Sequence, residues 1–581
     1  MRSTFNSENI QLAVAIGCIV VTGFVPDFVG SDYWAYSFQF VNVLIIVAVA
    51  QNFLLYDANQ VSFGQGAIFG VGAYVTAMAL SMHGFSWIAA IALATFGGAI
   101  AGLVFAIPAL RVQGYYLGFV TLSVAMVFPE FLFALDKYTN GINGISVPTG
   151  AWKQPVFLGL TLLSLTTTAL ACLTVACHLV IRRSAVGRKV LVAGASPESA
   201  QTLGIRPGVV RCAVFCAVAA LTSLAGALYV PIIGFVTPAA FHLELSILIF
   251  LVVIVGGRGQ IFGPLAGVYL LYLLPNVLLV QFAEYRLLAY GVVALVVMLL
   301  MPDGLIGSLE RRLRAARGGS GIQLAPDQLP LPGSGRPSAV TAAQPAILIE
   351  GASKTFGAVR ALDNVDLDIP AGRIVGLIGA NGSGKTSLIN AITGFSRLSS
   401  GSITIRGVPV AGKSPASVAR MSVGRTFQTP RIFDSLTAWE NVAIGAEAAR
   451  GRETGSGAAG DGLSDLRGRL EGVGTERIPH GQRRSIEVLR VILTGAEIIL
   501  LDEPAAGLSQ EERQQLQRLL RRLRDETGST ILLVEHDLAF VWSVADKVAV
   551  MEGGRVVAAG PPEEVASNPE ARKLFIEPVH A

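Results

Sequence analysis

Apolar positions are distributed in two different ways along the chain. Up to about residue 301 they form long runs; beyond about residue 345 they form short β-branched runs set between helix-like polar stretches. The long runs are Ile10–Val25, Phe38–Leu55, Gly64–Met82, Trp87–Leu110, Tyr115–Leu135, Phe157–Ile181, Val214–Ile233, Leu243–Val255, Phe262–Val280 and Leu287–Met301. A helix needs ~20 apolar residues to cross the hydrocarbon core of a bilayer. Several runs are short or broken by glycine and proline, so about eight to ten spans are predicted, some of them re-entrant. The first run reads as a membrane helix and not as a removed signal peptide, because it carries one arginine, lacks a clear small-x-small cleavage site and is followed by another apolar run.

In the second part, "GRIVGLIG" precedes "KTSLINAIT" and "EIILLDEP" precedes "EERQQLQRLLRRL", the strand-then-helix alternation of an α/β domain. Between the halves lies "AARGGSGIQLAPDQLPLPGSGRPSAVTAAQP", rich in Gly, Pro, Ser and Ala and without apolar periodicity, the composition of a flexible tether. The predicted organisation is an α-helical polytopic membrane domain over 1–308, a flexible cytoplasmic linker over 309–345 and an α/β P-loop domain over 346–581.

Charge sharpens this division. The 581 residues exceed one core, and a mean hydropathy of +0.58 with 14% charged residues is far from a soluble average. Only roughly a quarter of the charged side chains fall in residues 1–308. The segment 182–211 carries six basic residues and a single acid, Glu198, and so is expected to face the cytoplasm. A second basic cluster, Arg311, Arg312, Arg314 and Arg317, points the same way and puts the following domain in the cytoplasm too. The net charge of +4 is then the arginine excess of cytoplasmic loops; no basic stripe interleaved with aromatics suggests nucleic acid. The five cysteines lie in or beside apolar runs, with neither disulfide nor zinc spacing.

"GANGSGKT", Gly379 to Thr386, has the P-loop pattern between a predicted strand and a predicted helix. Its glycines (Gly379, Gly382, Gly384), with Asn381, Ser383 and Ser387, bring backbone N–H groups to phosphates; Lys385 reaches the β- and γ-phosphates, and the Thr386 hydroxyl suits Mg²⁺. Phosphate binding alone does not choose among kinases, GTPases and ATPases. Further on, the apolar residues 498–501 run into Asp502 and Glu503, one carboxylate for Mg²⁺, partly through water, and one to deprotonate an attacking water. After another apolar strand, "TILLVE", comes His536, placed to contact a γ-phosphate.

With Gln428 in "GRTFQTPRIF", the order of P-loop, glutamine, signature position, carboxylate pair and histidine resembles the nucleotide-binding domain of ABC transporters over nearly all of 347–581. The resemblance implies ATP hydrolysis, with Glu503, His536 and Gln428 catalytic, Gln428 also near the metal, and Phe356 stacking on adenine; the rival reading of Phe356 is a core residue on a strand. It also implies that ATP is sandwiched between one domain's P-loop and another's signature helix, whose N-terminus here keeps Gly481 and Gln482. In "IPHGQRR" a proline stands in place of the usual serine; Pro479 suits a first helical turn but removes a hydroxyl and one N–H. The site is thinned but not abolished. That stretch, with "VGRTFQTPRIFDSLTAWENV" and "LLDEPAAGLS", resembles the first ATPase of branched-chain amino acid importers; His480 and Ser509 depart from the usual pattern.

The membrane half resembles the permease of the same importer class over roughly 38–307, through "QVSFGQGAIFGVGAYVTAM", "LRVQGYYLGFVTLSVAMVFPEF", "TNGINGI" and "GASPESAQTLGIRPGVVRCAVFCAVAALTSLAGALY". Ser196 suits an N-cap, Pro197 and Glu198 a first turn, and Gly204 an end after Leu203, so 197–203 is predicted as a short cytoplasmic helix that couples permease to ATPase near Gln428. Glu130, after a proline expected to break its helix, and Asp57 with Asn59 near a span end are candidates for the solute path.

The reading is an importer subunit of a bacterial inner membrane, carrying branched-chain amino acids or a related solute with ATP and Mg²⁺ as cofactors. The resemblance implies a periplasmic solute-binding protein, a second permease and a second ATPase as partners, a homodimer being the alternative. Urea, amides and small organic acids are the rival substrates. An exporter half-transporter is the rival class; such exporters usually have six spans reaching far into the cytoplasm, whereas the loops here are compact.

Overall fold

A computed structural model of the chain describes residues 2–28, 32–111, 115–278, 285–316, 331, 344–450, 460–475 and 478–576. The chain divides into two units, Met1–Ala195 with Pro207–Gly318, and Ser196–Arg206 with Gly319–Ala581. The first unit is helical. Each of the ten apolar runs holds a helix: Arg2–Phe28, Asp32–Asn52, Gln65–Ser81, Trp87–Arg111, Tyr115–Ala134, Leu162–Arg183, Pro207–Ile233, Leu243–Gly256, Gly263–Val268 continued by the wide π-type turn Tyr269–Leu278, and Arg286–Leu300. Among the described residues eight helices are long and apolar enough to cross a membrane. The protein is therefore a membrane protein.

Helices that share an apolar solvent gain little from hydrophobic exclusion, so they pack by close backbone approach through small residues. Pro207–Ile233 lies against Trp87–Arg111 in this way. A Cβ on Gly98 would meet Ser223 Cβ at 2.2 Å, and one on Gly102 would meet Ala219 Cβ at 2.5 Å. Buried polar groups are paired across helices: Thr222 Oγ1 donates to Gln65 Oε1 (2.8 Å), and Asn42 Nδ2 donates to Thr168 Oγ1 (3.2 Å). An aromatic cluster of Phe40, Phe69, Tyr229, Phe241 and Tyr272 fills the middle.

Two expectations are corrected here. The break expected at Pro129 is absent: Tyr115–Ala134 is one helix, like others that keep Pro26, Pro108 and Pro231 inside them. In a membrane helix neighbouring groups and local adjustments satisfy the carbonyl that proline frees. The tether expected over 309–345 does not hold at its start, where residues 309–316 belong to the helix Gly304–Ala316; the rest of the span, apart from 331, 344 and 345, lies outside the described residues.

The second unit is α/β. A six-stranded sheet has the order Val423–Arg425, Ile498–Asp502, Thr530–Val534, Ile374–Ile378, Lys547–Glu552 and Arg555–Gly560, with its first five strands parallel. The three strands Ile498–Asp502, Thr530–Val534 and Ile374–Ile378 are buried at every residue, which is why they read as mostly Ile, Leu and Val. A four-stranded antiparallel sheet begins with Pro345–Phe356 and Val359–Pro370. A helical part, Ala438–Arg450, Gly460–Leu470 and His480–Leu493, has its own core around Val442, Leu470 and Leu489.

The glycine contacts make a paired test. Gly98→Ala forces a methyl onto Ser223 Cβ and the Ala219 carbonyl, whereas a Cβ on Gly97 would meet only Val75 Cγ2, at 3.8 Å. Thermal unfolding in detergent should show Gly98→Ala destabilised by ~1–3 kcal/mol, and Gly97→Ala unchanged or slightly stabilised by its better helix propensity.

Candidate functional site

The strand Ile374–Ile378 delivers the chain to the P-loop, and the helix Lys385–Ile392 carries it away. Gly379 (φ 154°) and Gly384 (φ 103°) take backbone angles that other residues avoid, and a Cβ on Gly379 would meet Met551 O at 2.2 Å. Lys385 Nζ donates to the carbonyls of Gly379 (2.7 Å) and Ala380 (2.9 Å). Burial lowers the Lys385 pKa, and the carboxylates of Glu503 and Asp502 oppose that shift. Asn381 and Gly382 are exposed on the same loop and Ser383 is buried; in the first turn of the helix Thr386 is exposed and Ser387 half-buried. Phe356 ends its strand exposed, with Lys354 Nζ 4.8 Å from the ring centroid, so it is not a core residue.

Asp502 closes the strand Ile498–Asp502 and is buried. Burial raises its pKa; Arg425 is the strongest opposing influence. Glu503, next along, sits at φ 47°, an angle costly for a non-glycine residue. It is held there from both sides: its N–H donates to Val534 O (2.8 Å), and its carbonyl accepts from Arg484 Nη2 (3.2 Å). The turn aims the carboxylate at Gln428, whose Nε2 donates to Glu503 Oε2 at 3.1 Å. His536, exposed beyond the strand Thr530–Val534, has Nδ1 3.8 Å from the buried carboxylate of Glu535. Lys385, Asp502, Glu503 and Gln428 thus share one neighbourhood, although the sequence scatters them over more than a hundred positions.

The helix His480–Leu493 begins one residue later than expected. Pro479 is its N-cap and not a first-turn residue, in an extended conformation (φ −56°, ψ 151°) that offers no side-chain cap. Its carbonyl accepts from Gln482 N at 3.0 Å. A Cβ on Gly481 would meet Glu512 Oε1 at 2.7 Å. The side chain of His480 lies outside the described residues. Ser509 acts locally, capping the helix Gln510–Thr527 in a reciprocal pair with Glu512.

Further along the helix that follows Pro479 are residues that sequence reasoning missed. Glu487 is fully buried; its Oε1 accepts from Phe427 N and Arg431 N (both 3.3 Å), and its Oε2 accepts from Arg484 Nη1 (2.9 Å). Arg484 also donates to the carbonyls of Phe427 and Gln428, and Arg490 Nη2 donates to Arg431 O (2.7 Å). The Gln428 segment is therefore gripped by one helix face. The spacing Arg484, Glu487, Arg490 is a repeat of three, and that was the available signal.

Within the same unit lies the helix Pro197–Thr202, one residue shorter than expected, with Leu203 as its C-cap. Ser196 caps it by accepting from Ser199 N (3.4 Å), and Gly204 (φ 76°) ends it. Glu198 pairs with Arg431, which also donates to Ser196 Oγ (3.4 Å), and Arg420 donates to Gly204 O (2.9 Å). In the membrane unit the candidates part company. Asp57 is buried, 3.8 Å from Arg182 Nε and 4.0 Å from His178 Nε2, and Asn59 donates to Gly194 O (3.2 Å). Glu130 is exposed on its continuous helix.

Two known families match the chain: residues 34–302 match the "Branched-chain amino acid transport system / permease component" family, and residues 362–506 match the ABC transporter family. Among curated proteins, the chain is similar to the high-affinity branched-chain amino acid transport ATP-binding protein LivG of Salmonella typhimurium, 34% identical over 40% of this chain and 98% of that one. The corresponding protein BraF of Pseudomonas aeruginosa is 33% identical over 40% and 98%. A solved ATP-binding cassette of an ABC transporter is 26% identical over 40% of this chain and 100% of that one, with a TM-score of 0.36.

The Glu503 geometry sets an expectation for two variants. Glu503→Gln keeps the shape beside Gln428 but cannot accept a proton; it should retain ATP binding and lose steady-state hydrolysis by ~10²–10⁴-fold. Lys385→Ala should instead weaken binding itself, read by titration of a fluorescent ATP analogue.

Proposed function

Because this chain belongs to the ABC transporter family, joining a branched-chain amino acid type permease to an ATP-hydrolysing domain, we propose that it imports leucine, isoleucine and valine across a bacterial inner membrane. The observation that carries this reading is the pairing itself: a permease-type first half and a second half similar to branched-chain amino acid transport ATP-binding proteins occupy one polypeptide. The working division is a permease that ends with the helix Gly304–Ala316, a tether over the residues between that helix and 345, and a cytoplasmic ATPase over 346–581. The partners are a periplasmic solute-binding protein, a second permease and a second ATPase.

In the hydrolytic site, the P-loop N–H groups and Lys385 hold the phosphates, and Phe356 stacks on the adenine. The hard oxygen donors Thr386, Gln428 and Asp502 suit Mg²⁺, since a buried carboxylate at a strand end and an exposed hydroxyl at the P-loop helix are the donor types that ion takes. Held by those residues, Mg²⁺ would supply charge neutralisation at the β- and γ-phosphates. Glu503, oriented by Gln428 and by its own strained turn, accepts the proton of the attacking water, and His536 contacts the γ-phosphate. The N-terminus of the helix after Pro479, with Gly481 and Gln482, serves the partner's ATP.

Coupling runs through the helix Pro197–Thr202. Its first-turn Glu198 engages Arg431, three residues after the glutamine that contacts Glu503. Movement of that helix therefore reaches the hydrolytic carboxylate through a very short stretch of backbone.

The test is uptake of labelled leucine, isoleucine and valine into cells expressing this chain with its partner subunits. Uptake should depend on the binding protein and fall by ~10²-fold or more with Glu503→Gln. Extrusion of the solute, or uptake indifferent to that substitution, would overturn the reading.

A further inference from the structure

Arg425 is not among the groups that hold nucleotide, yet it is a buried cation that faces the metal-binding carboxylate. It ends the strand Val423–Arg425 with 5% of its surface exposed. Its Nη1 donates to Thr393 Oγ1 (2.9 Å), its Nη2 lies 3.9 Å from Asp502 Oδ2, and its Nε makes no hydrogen bond. Two rings complete its surroundings, Phe395 at 5.3 Å and Phe427 at 5.0 Å from the guanidinium carbon. A buried guanidinium with an unpaired nitrogen is held at a cost, and aromatic faces offset only part of it.

The Phe427 ring has a second cation. Arg431 lies 4.3 Å from its centroid, and Arg431 is the residue that pairs with Glu198. Thr202, at the other end of the Glu198 helix, lines a small pocket together with Arg425, Thr393 and Phe395. An unbroken series of contacts therefore runs from Glu198 through Arg431, the Phe427 ring and Arg425 to Asp502.

We propose that Arg425 is a positioning residue that carries the engagement of the helix Pro197–Thr202 to the Asp502 carboxylate, with the Phe427 ring as the joint. The inference rests on the coupling role given above to that helix. Its physical basis is the sharing of one ring by two like charges. While Glu198 neutralises Arg431, both guanidinium groups can lie against Phe427 and Arg425 faces Asp502. When Glu198 withdraws, the uncompensated Arg431 repels Arg425 across the ring, and Arg425 moves relative to the carboxylate. The conformation of the coupling helix is thus read as the placement of a metal-binding group.

A double-mutant cycle tests this in the full-length chain, assembled with its partner subunits in lipid nanodiscs, with MgATP hydrolysis as the readout. Glu198→Gln and Arg425→Gln should each lower kcat by about five- to tenfold, with KM for ATP changed less than about twofold. The double variant should be no slower than Arg425→Gln alone. Multiplying losses would show two independent effects and overturn the relay, leaving the coupling helix its role. A Glu198→Gln transporter that hydrolyses normally would remove the role of the helix and the relay with it. Phe427 supplies a second route should Arg425→Gln fail to bind a fluorescent ATP analogue: Phe427→Leu should abolish the effect of Glu198→Gln, and Phe427→Tyr, which keeps the ring, should restore it. Persistence of the Glu198→Gln effect in Phe427→Leu would overturn the proposal.

Discussion

The buried carboxylate of Glu487 is the constraint on which the hydrolytic half is organised. A fully buried charge is tolerable only when it is paired and hydrogen-bonded, and here two backbone N–H groups and two arginines meet that demand. Satisfying it fixes the backbone from Phe427 to Arg431 against the helix that follows Pro479. Gln428, held within that segment, then faces Glu503, and Arg484 reaches across to fix the strained carbonyl of Glu503 itself. One ionic cluster thus sets the relation of three sequence-distant pieces: the glutamine segment, the carboxylate pair and the signature-position helix. Removing either partner of such a cluster leaves the other charged and buried, at a cost of ~3–5 kcal/mol.

The two units solve the packing problem by different physics. In the α/β unit, apolar strands buried at every residue exclude water and need little detailed fit beyond volume. In the membrane unit the surrounding solvent is itself apolar, so the helices hold together by glycine contacts and polar pairs across interfaces. The short helix Pro197–Thr202 belongs in sequence to the membrane half but groups with the α/β unit.

The legible features of the sequence are those with a local physical cause. A P-loop announces itself because its glycines must adopt positive φ, and a span announces itself by length. The helix at 197 is readable because Ser196, Pro197, Glu198 and Gly204 each act within one turn. What stays hidden depends on long-range partners. The three-residue spacing of Arg484, Glu487 and Arg490 hints at an ionic cluster but does not show that it is buried, and nothing local distinguishes Arg425 from any arginine beside a glutamine segment; the roles of both depend on residues about sixty to eighty positions away. Ser509 reads as a gap in a pattern, whereas its capping role needs only Glu512 three residues later. The break expected at Pro129 fails because proline breaks helices in water, where the freed carbonyl competes for solvent, more readily than in a packed membrane unit.

The central claim is that the pairing of Glu198 with Arg431 links solute movement to hydrolysis. Leucine uptake by proteoliposomes carrying Glu198→Arg tests it most directly, because two guanidinium groups would then face each other where an ion pair stood. The account predicts a fall of about tenfold or more with ATP affinity unchanged, and near-normal uptake by Glu198→Asp. Wild-type uptake by Glu198→Arg would contradict it.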